Sequence, residues 1–122
     1  KEATMKKLLI ASLIFVTGVI AAPGGMAQYP AARKDDPSVH GGLIVEGATT
    51  VIICGKPAAR VGDYHTCPLY EGDVPHVGGD ILLGSQTVFI QGFAAARMND
   101  PAACNGPTDS IASGCSSVLI GN

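Results

Sequence analysis

Three segments of the chain carry one pattern: Gly47-Ala-Thr-Thr-Val51-Ile-Ile53-Cys-Gly55, Gly84-Ser-Gln-Thr-Val88-Phe-Ile90-Gln-Gly92 and Gly114-Cys-Ser-Ser-Val118-Leu-Ile120-Gly-Asn122. Each follows a short apolar stretch, at Leu43 to Val45, Ile81 to Leu83, and Ile111 with Ala112. Within each segment two apolar residues stand two apart (Val51 and Ile53, Val88 and Ile90, Val118 and Ile120), so both point to one face of an extended strand. The pattern predicts a β-hairpin in each repeat, with Gly47, Gly84 and Gly114 at the turn, where positive φ costs a glycine little. One hairpin cannot bury its apolar face alone, but three packed about a pseudo-threefold axis can. The predicted fold is therefore all-β and built of three such repeats.

A second repeat lies in the connectors. Ala31-Ala32-Arg33 precedes Asp36, Ala58-Ala59-Arg60 precedes Asp63, and Ala95-Ala96-Arg97 precedes Asp100. An Arg and an Asp three apart, after two small residues, predict a turn held by a charge-assisted hydrogen bond.

The first part of the chain is of another kind. Lys1, Lys6 and Lys7 precede an uncharged stretch from Leu8 to Gln28, almost continuously apolar as far as Ala22. This reads as a helix-prone leader over residues 1–28, ahead of a domain over 29–122. A Met5-Lys6-Lys7 start and a small-residue stretch ending at Ala27 fit a secretory signal peptide cleaved there. An uncleaved membrane or translocation segment fits the same length of apolar chain. From Gln28 onward five cationic residues face nine anionic ones, a net of −4, which argues against nucleic acid as a partner. The domain has no Trp and few aromatics. A core that small needs a further staple, whether metal, disulfide or partner.

With Pro-Ala-Ala-Arg at both Pro30 to Arg33 and Pro57 to Arg60, the chain resembles the PAAR-repeat family over residues 30 to 122. Ala31 to His40 further resembles the prePAAR motif, Ala-Ala-Arg-x-x-Asp-x-x-x-His. The resemblance implies a small cone that caps the blunt end of a trimeric spike in a contractile injection machine such as type VI secretion. It would act structurally, as a monomer, delivered out of a Gram-negative cell to meet a target membrane, with an effector as its cargo. No catalysis and no small-molecule substrate are implied.

All three histidines stand in Gly- or Pro-rich connectors: His40 before Gly41-Gly42, His65 before Thr66-Cys67-Pro68, and His76 before Val77-Gly78-Gly79. Glycines there let backbone approach closely beside a ligand. PAAR proteins hold zinc near the apex with three His and one Cys. The resemblance carries that role to His40, His65, His76 and Cys104, with one structural Zn2+ per chain. Cys67 is the alternative thiolate, because Asp63 to Cys67 and Asp100 to Cys104 share one spacing. Cys54 and Cys115 lie at different places in their repeats and are expected as free thiols. The leader departs from the plain family pattern. It suggests a second reading, an exported periplasmic or secreted metal-binding adaptor, or an effector with a membrane-active leader.

Overall fold

The computed structural model describes residues 27–122, so the expected leader lies outside the described residues but for its last two positions. The described residues form short antiparallel strands: β1 (Tyr29–Ala31), β2 (Ile52–Ile53), β3 (Lys56–Pro57), β4 (Tyr64–His65), β5 (Tyr70–Glu71) and β6 (Val74–Pro75), then β7 (Gly79–Asp80), β8 (Phe89–Ile90), β9 (Phe93–Ala94), β10 (Pro101–Ala102), β11 (Asp109–Ser110) and β12 (Cys115–Ile120). No helix occurs among them.

The hairpins of the repeats are β2–β3 and β8–β9, with Ile52 opposite Pro57 and Phe89 opposite Ala94. Their turns are Cys54-Gly55 and Gln91-Gly92, all four residues at positive φ, which suits the right-handed twist of the flanking strands. The third hairpin closes differently. β12 pairs with β1 from the other end of the domain, with Leu119 opposite Pro30 and Ile120 opposite Tyr29. The register is that of the other two hairpins, so the ring of repeats is sealed by joining its two ends.

Gly47, Gly84 and Gly114 do not make the turns, as their place in the repeat had suggested. Each instead lies against the backbone of the first alanine of an Ala-Ala-Arg. A Cβ on Gly84 would stand 2.5 Å from Ala95 O, one on Gly114 2.6 Å from Ala31 O, and one on Gly47 3.1 Å from Ala58 O. Gly84→Ala therefore forces backbone apart, and we expect it to lower stability by about 2–3 kcal/mol in denaturant titration.

The axis itself is drawn by hydrogen bonds. Ala32 N donates to Ala96 O, Ala96 N to Ala59 O, and Ala59 N to Ala32 O, at 3.0, 3.0 and 2.9 Å. Three chains this close leave room only for methyl groups, which is why the second alanine recurs. Below that ring Ile44, Ile81 and Ile111 fill one core layer with Ala102. Above it Ala31, Ala58, Ala95, Ile90 and Ile120 fill another, toward the hairpins. The Ala-Ala-Arg-x-x-Asp turns form as predicted. Each Asp carboxylate takes the Arg guanidinium in a fork, at 2.9 to 3.2 Å, and the backbone N–H of the same Arg. The residue before each Asp (Asp35, Gly62, Asn99) is at positive φ, a conformation these three residue types tolerate well.

Cys54 and Cys115 are joined by a disulfide, against the expectation of free thiols. The repeats explain why. Packing about the axis sets each hairpin turn against the strand segment of its neighbour, not against its own. Gln91 of the second turn reaches Thr49 and Thr50 of the first repeat. Thr87 of the second repeat donates to Asn122 O of the third. Cys54 of the first turn meets the third repeat at Cys115 and Ser117 in the same way. One of three equivalent contacts has become covalent.

Candidate metal centre

Beyond the isoleucine layer the connectors converge at the end of the stack away from the hairpins. The connector from Asp36 to Leu43 supplies His40, the one from Asp63 to Ile81 supplies Cys67 and His76, and the one from Asp100 to Ile111 supplies Cys104. Glycines permit the approach. A Cβ on Gly42 would fall 1.7 Å from Thr66 O, and one on Gly78 2.1 Å from His65 O. Gly106 lies against the His76 ring, with 3.0 Å from its would-be Cβ to Nε2.

The ligand atoms of His40, Cys67, His76 and Cys104 all lie within 4.8 Å of one another. Cys67 Sγ stands 3.5 Å from His40 Nδ1 and 3.6 Å from His76 Nδ1. Cys104 Sγ stands 3.6 Å from His40 Nδ1 and 3.2 Å from Cys67 Sγ. A tetrahedral ion with metal–sulfur bonds of about 2.3 Å and metal–nitrogen bonds of about 2.05 Å sets its S···N edges at roughly 3.5 Å and its S···S edge at roughly 3.8 Å. The three short sulfur–nitrogen spacings match their figure, and the sulfurs need to spread by about 0.6 Å to reach theirs.

The electrostatics point the same way. Burial, with the hydrogen bond and charge of Cys67, pushes the Cys104 thiol up to about 11. Two adjacent thiols resist ionising together, and a cation between them removes that resistance. His76 turns Nε2 to Glu71 Oε1, 3.3 Å away on β5, which leaves Nδ1 facing the sulfurs. A carboxylate behind a histidine in this way fixes its tautomer for a metal.

Of the residues expected as ligands, the structure brings His40, His76 and Cys104 together and sets His65 apart. The fourth member of the cluster is Cys67. His65 is buried with Nδ1 2.8 Å from Gly79 O and Nε2 3.0 Å from Asp109 Oδ2. Both ring nitrogens are taken up by these protein oxygens, so neither is turned to the cluster. Asp109 holds this layer together. Its Oδ1 accepts the backbone N–H of His40 at 3.0 Å and of Ser110 at 2.8 Å. Burial works against its charge, but the hydrogen bonds from the Ser38 side chain, His40, Ser110 and His65 outweigh that and hold its pKa below the ordinary aspartate value. Asp109 and Glu71 carried no sequence signal. Cys67 did, through the spacing it shares with Cys104, which sets both sulfurs at one level of the axis.

Two stretches of the chain, residues 34–70 and 71–122, match the PAAR motif family. A search of curated proteins found no match to the chain.

Proposed function

Because the chain belongs to the PAAR motif family, we propose that it is the structural tip of a contractile injection apparatus, capping a trimeric spike and stapled near its apex by one zinc ion. The observation that carries this reading is a threefold set of exposed apolar side chains on the hairpins. Ile52, Phe89 and Leu119 hold the same register position in the three hairpins, and are 58, 59 and 53% exposed. A monomer with pseudo-threefold symmetry that leaves three equivalent large apolar side chains in water suits a partner with true threefold symmetry. Exposed strand edges around them would extend the partner's last strands.

The expected result is capture of one chain per trimer of the spike protein from the same genome. Phe89→Asp with Leu119→Asp should abolish capture while leaving metal content unchanged. Failure of the wild-type chain to bind any such trimer would end the spike-cap reading.

Two thiolates and two imidazoles favour zinc, and a closed set of four protein ligands leaves no position for a reacting water. His40, Cys67, His76 and Cys104 would hold the ion, and its role would be to secure the connectors under load. Binding must displace the protons of both thiols, and that of Cys104 is held above the ordinary thiol value by burial and by its neighbour Cys67. Zinc affinity should therefore rise as pH is raised from 6 to 8 and fall as it is lowered, which competition with a chelator would measure.

One observation favours the second reading, of an exported adaptor. The Cys54–Cys115 disulfide is a bond that oxidising compartments form and keep. Cell fractionation separates the two: a processed periplasmic chain favours the adaptor, an unprocessed cytoplasmic one the tip.

A further inference from the structure

The chain holds two cysteine pairs, and only one of them is bonded. Cys67 and Cys104 have their sulfurs 3.2 Å apart, though 37 residues separate them in sequence. Closing to a bond of about 2.05 Å requires little more than an ångström of approach. Their neighbourhood differs from that of Cys54 and Cys115: imidazole nitrogens stand 3.5 to 3.6 Å from both sulfurs. Cys67 is buried and Cys104 half-exposed, so a reagent meets Cys104 first.

We infer that Cys67 and Cys104 are a redox-active pair, which a small-molecule disulfide converts into a second intramolecular disulfide whenever the metal is absent. The Cys104 sulfur, losing its proton to solvent, attacks the reagent's disulfide, forms a mixed disulfide and expels one thiolate. Cys67 then attacks the Cys104 sulfur and expels the second. Two electrons pass from the protein sulfurs to the reagent, which leaves as two thiols. A bound divalent ion occupies both sulfurs and blocks the first step, and the oxidised pair can no longer hold the ion. Metal and disulfide are thus alternative states of one site, and the order of metal loading and oxidation decides which the chain adopts.

The protection by metal rests on the proposed zinc site, whereas the pairing does not, so the test has a separate arm for each. The full chain is stripped of metal with its first disulfide intact, then incubated with oxidised glutathione. Intact mass should fall by two hydrogens, and peptide mapping without reduction should join the Cys67 and Cys104 peptides. Cys67→Ser should stop at a single glutathione adduct on Cys104. Adducts on both sulfurs of the wild type, or no reaction, would overturn the pairing. In the second arm, zinc at a hundred times its Kd should slow oxidation about a hundredfold, since reaction then waits on the metal-free fraction. The oxidised chain should take up no zinc until reduced. Equal rates with and without zinc, or full zinc uptake by the oxidised chain, would overturn the exclusion while leaving the pairing intact.

Discussion

Cys104→Ser in the full chain should lose the proposed zinc and melt far below the wild type. The reasoning is one of linkage. An ion that binds the folded chain and not the unfolded one stabilises it by about 4 kcal/mol when its free concentration is a thousand times Kd. For a domain of this size each kcal/mol moves the melting temperature by about 4–8 °C. The expected drop is therefore on the order of 15–30 °C, and a chelator should reproduce it on the wild type. Cys67→Ser should behave alike. His65→Gln should differ, because His65 touches Gly79 and Asp109 and stands outside the cluster. It should cost stability and still bind one zinc per chain. A wild type whose melting does not respond to the chelator would refute the structural role of the metal.

The second large effect is expected from the Cys54–Cys115 bond. It closes a loop over 61 residues, and constraining an unfolded chain that far is worth roughly 2–4 kcal/mol. Cys54→Ser should lower the melting temperature by about 8–30 °C under non-reducing conditions, and reductant should bring the wild type to the same point. Metal content should stay at one ion per chain, because the bond joins hairpins at the other end of the stack from the cluster. A variant that melts like the wild type would show that the third repeat is held by its pairing with β1 alone. Cys115 occupies the place taken by Ala48 and Ser85 in the other repeats, so a small residue there is sterically tolerated.

Much of the site was legible because periodic constraints leave periodic residues. The Ala-Ala-Arg-x-x-Asp turns need methyl-sized side chains at the axis and a carboxylate three residues after the arginine, and both needs recur at each third of the ring. His40 and His76 stood out as histidines in Gly- or Pro-rich connectors, and Cys104 came by the resemblance to the PAAR family. The choice of Cys67 over His65 was not legible. It turns on which side chain meets Asp109, and Asp109 lies 44 residues from His65 in a connector of its own.

The sequence by itself determined the local geometry: that Ile53, Ile90 and Ile120 lie in strands against a shared core, that each turn is pinned by its own Arg and Asp, and that three like units must pack together. These follow from interactions a few residues in range, repeated in register. Only the tertiary structure decided what meets across the axis. β1 completes the third hairpin, Gly47, Gly84 and Gly114 serve close approach in place of a turn, and Cys54 bonds Cys115. In each case the partner lies in another repeat, and threefold packing brings a residue against its neighbour's strand while leaving no mark on the spacing within its own.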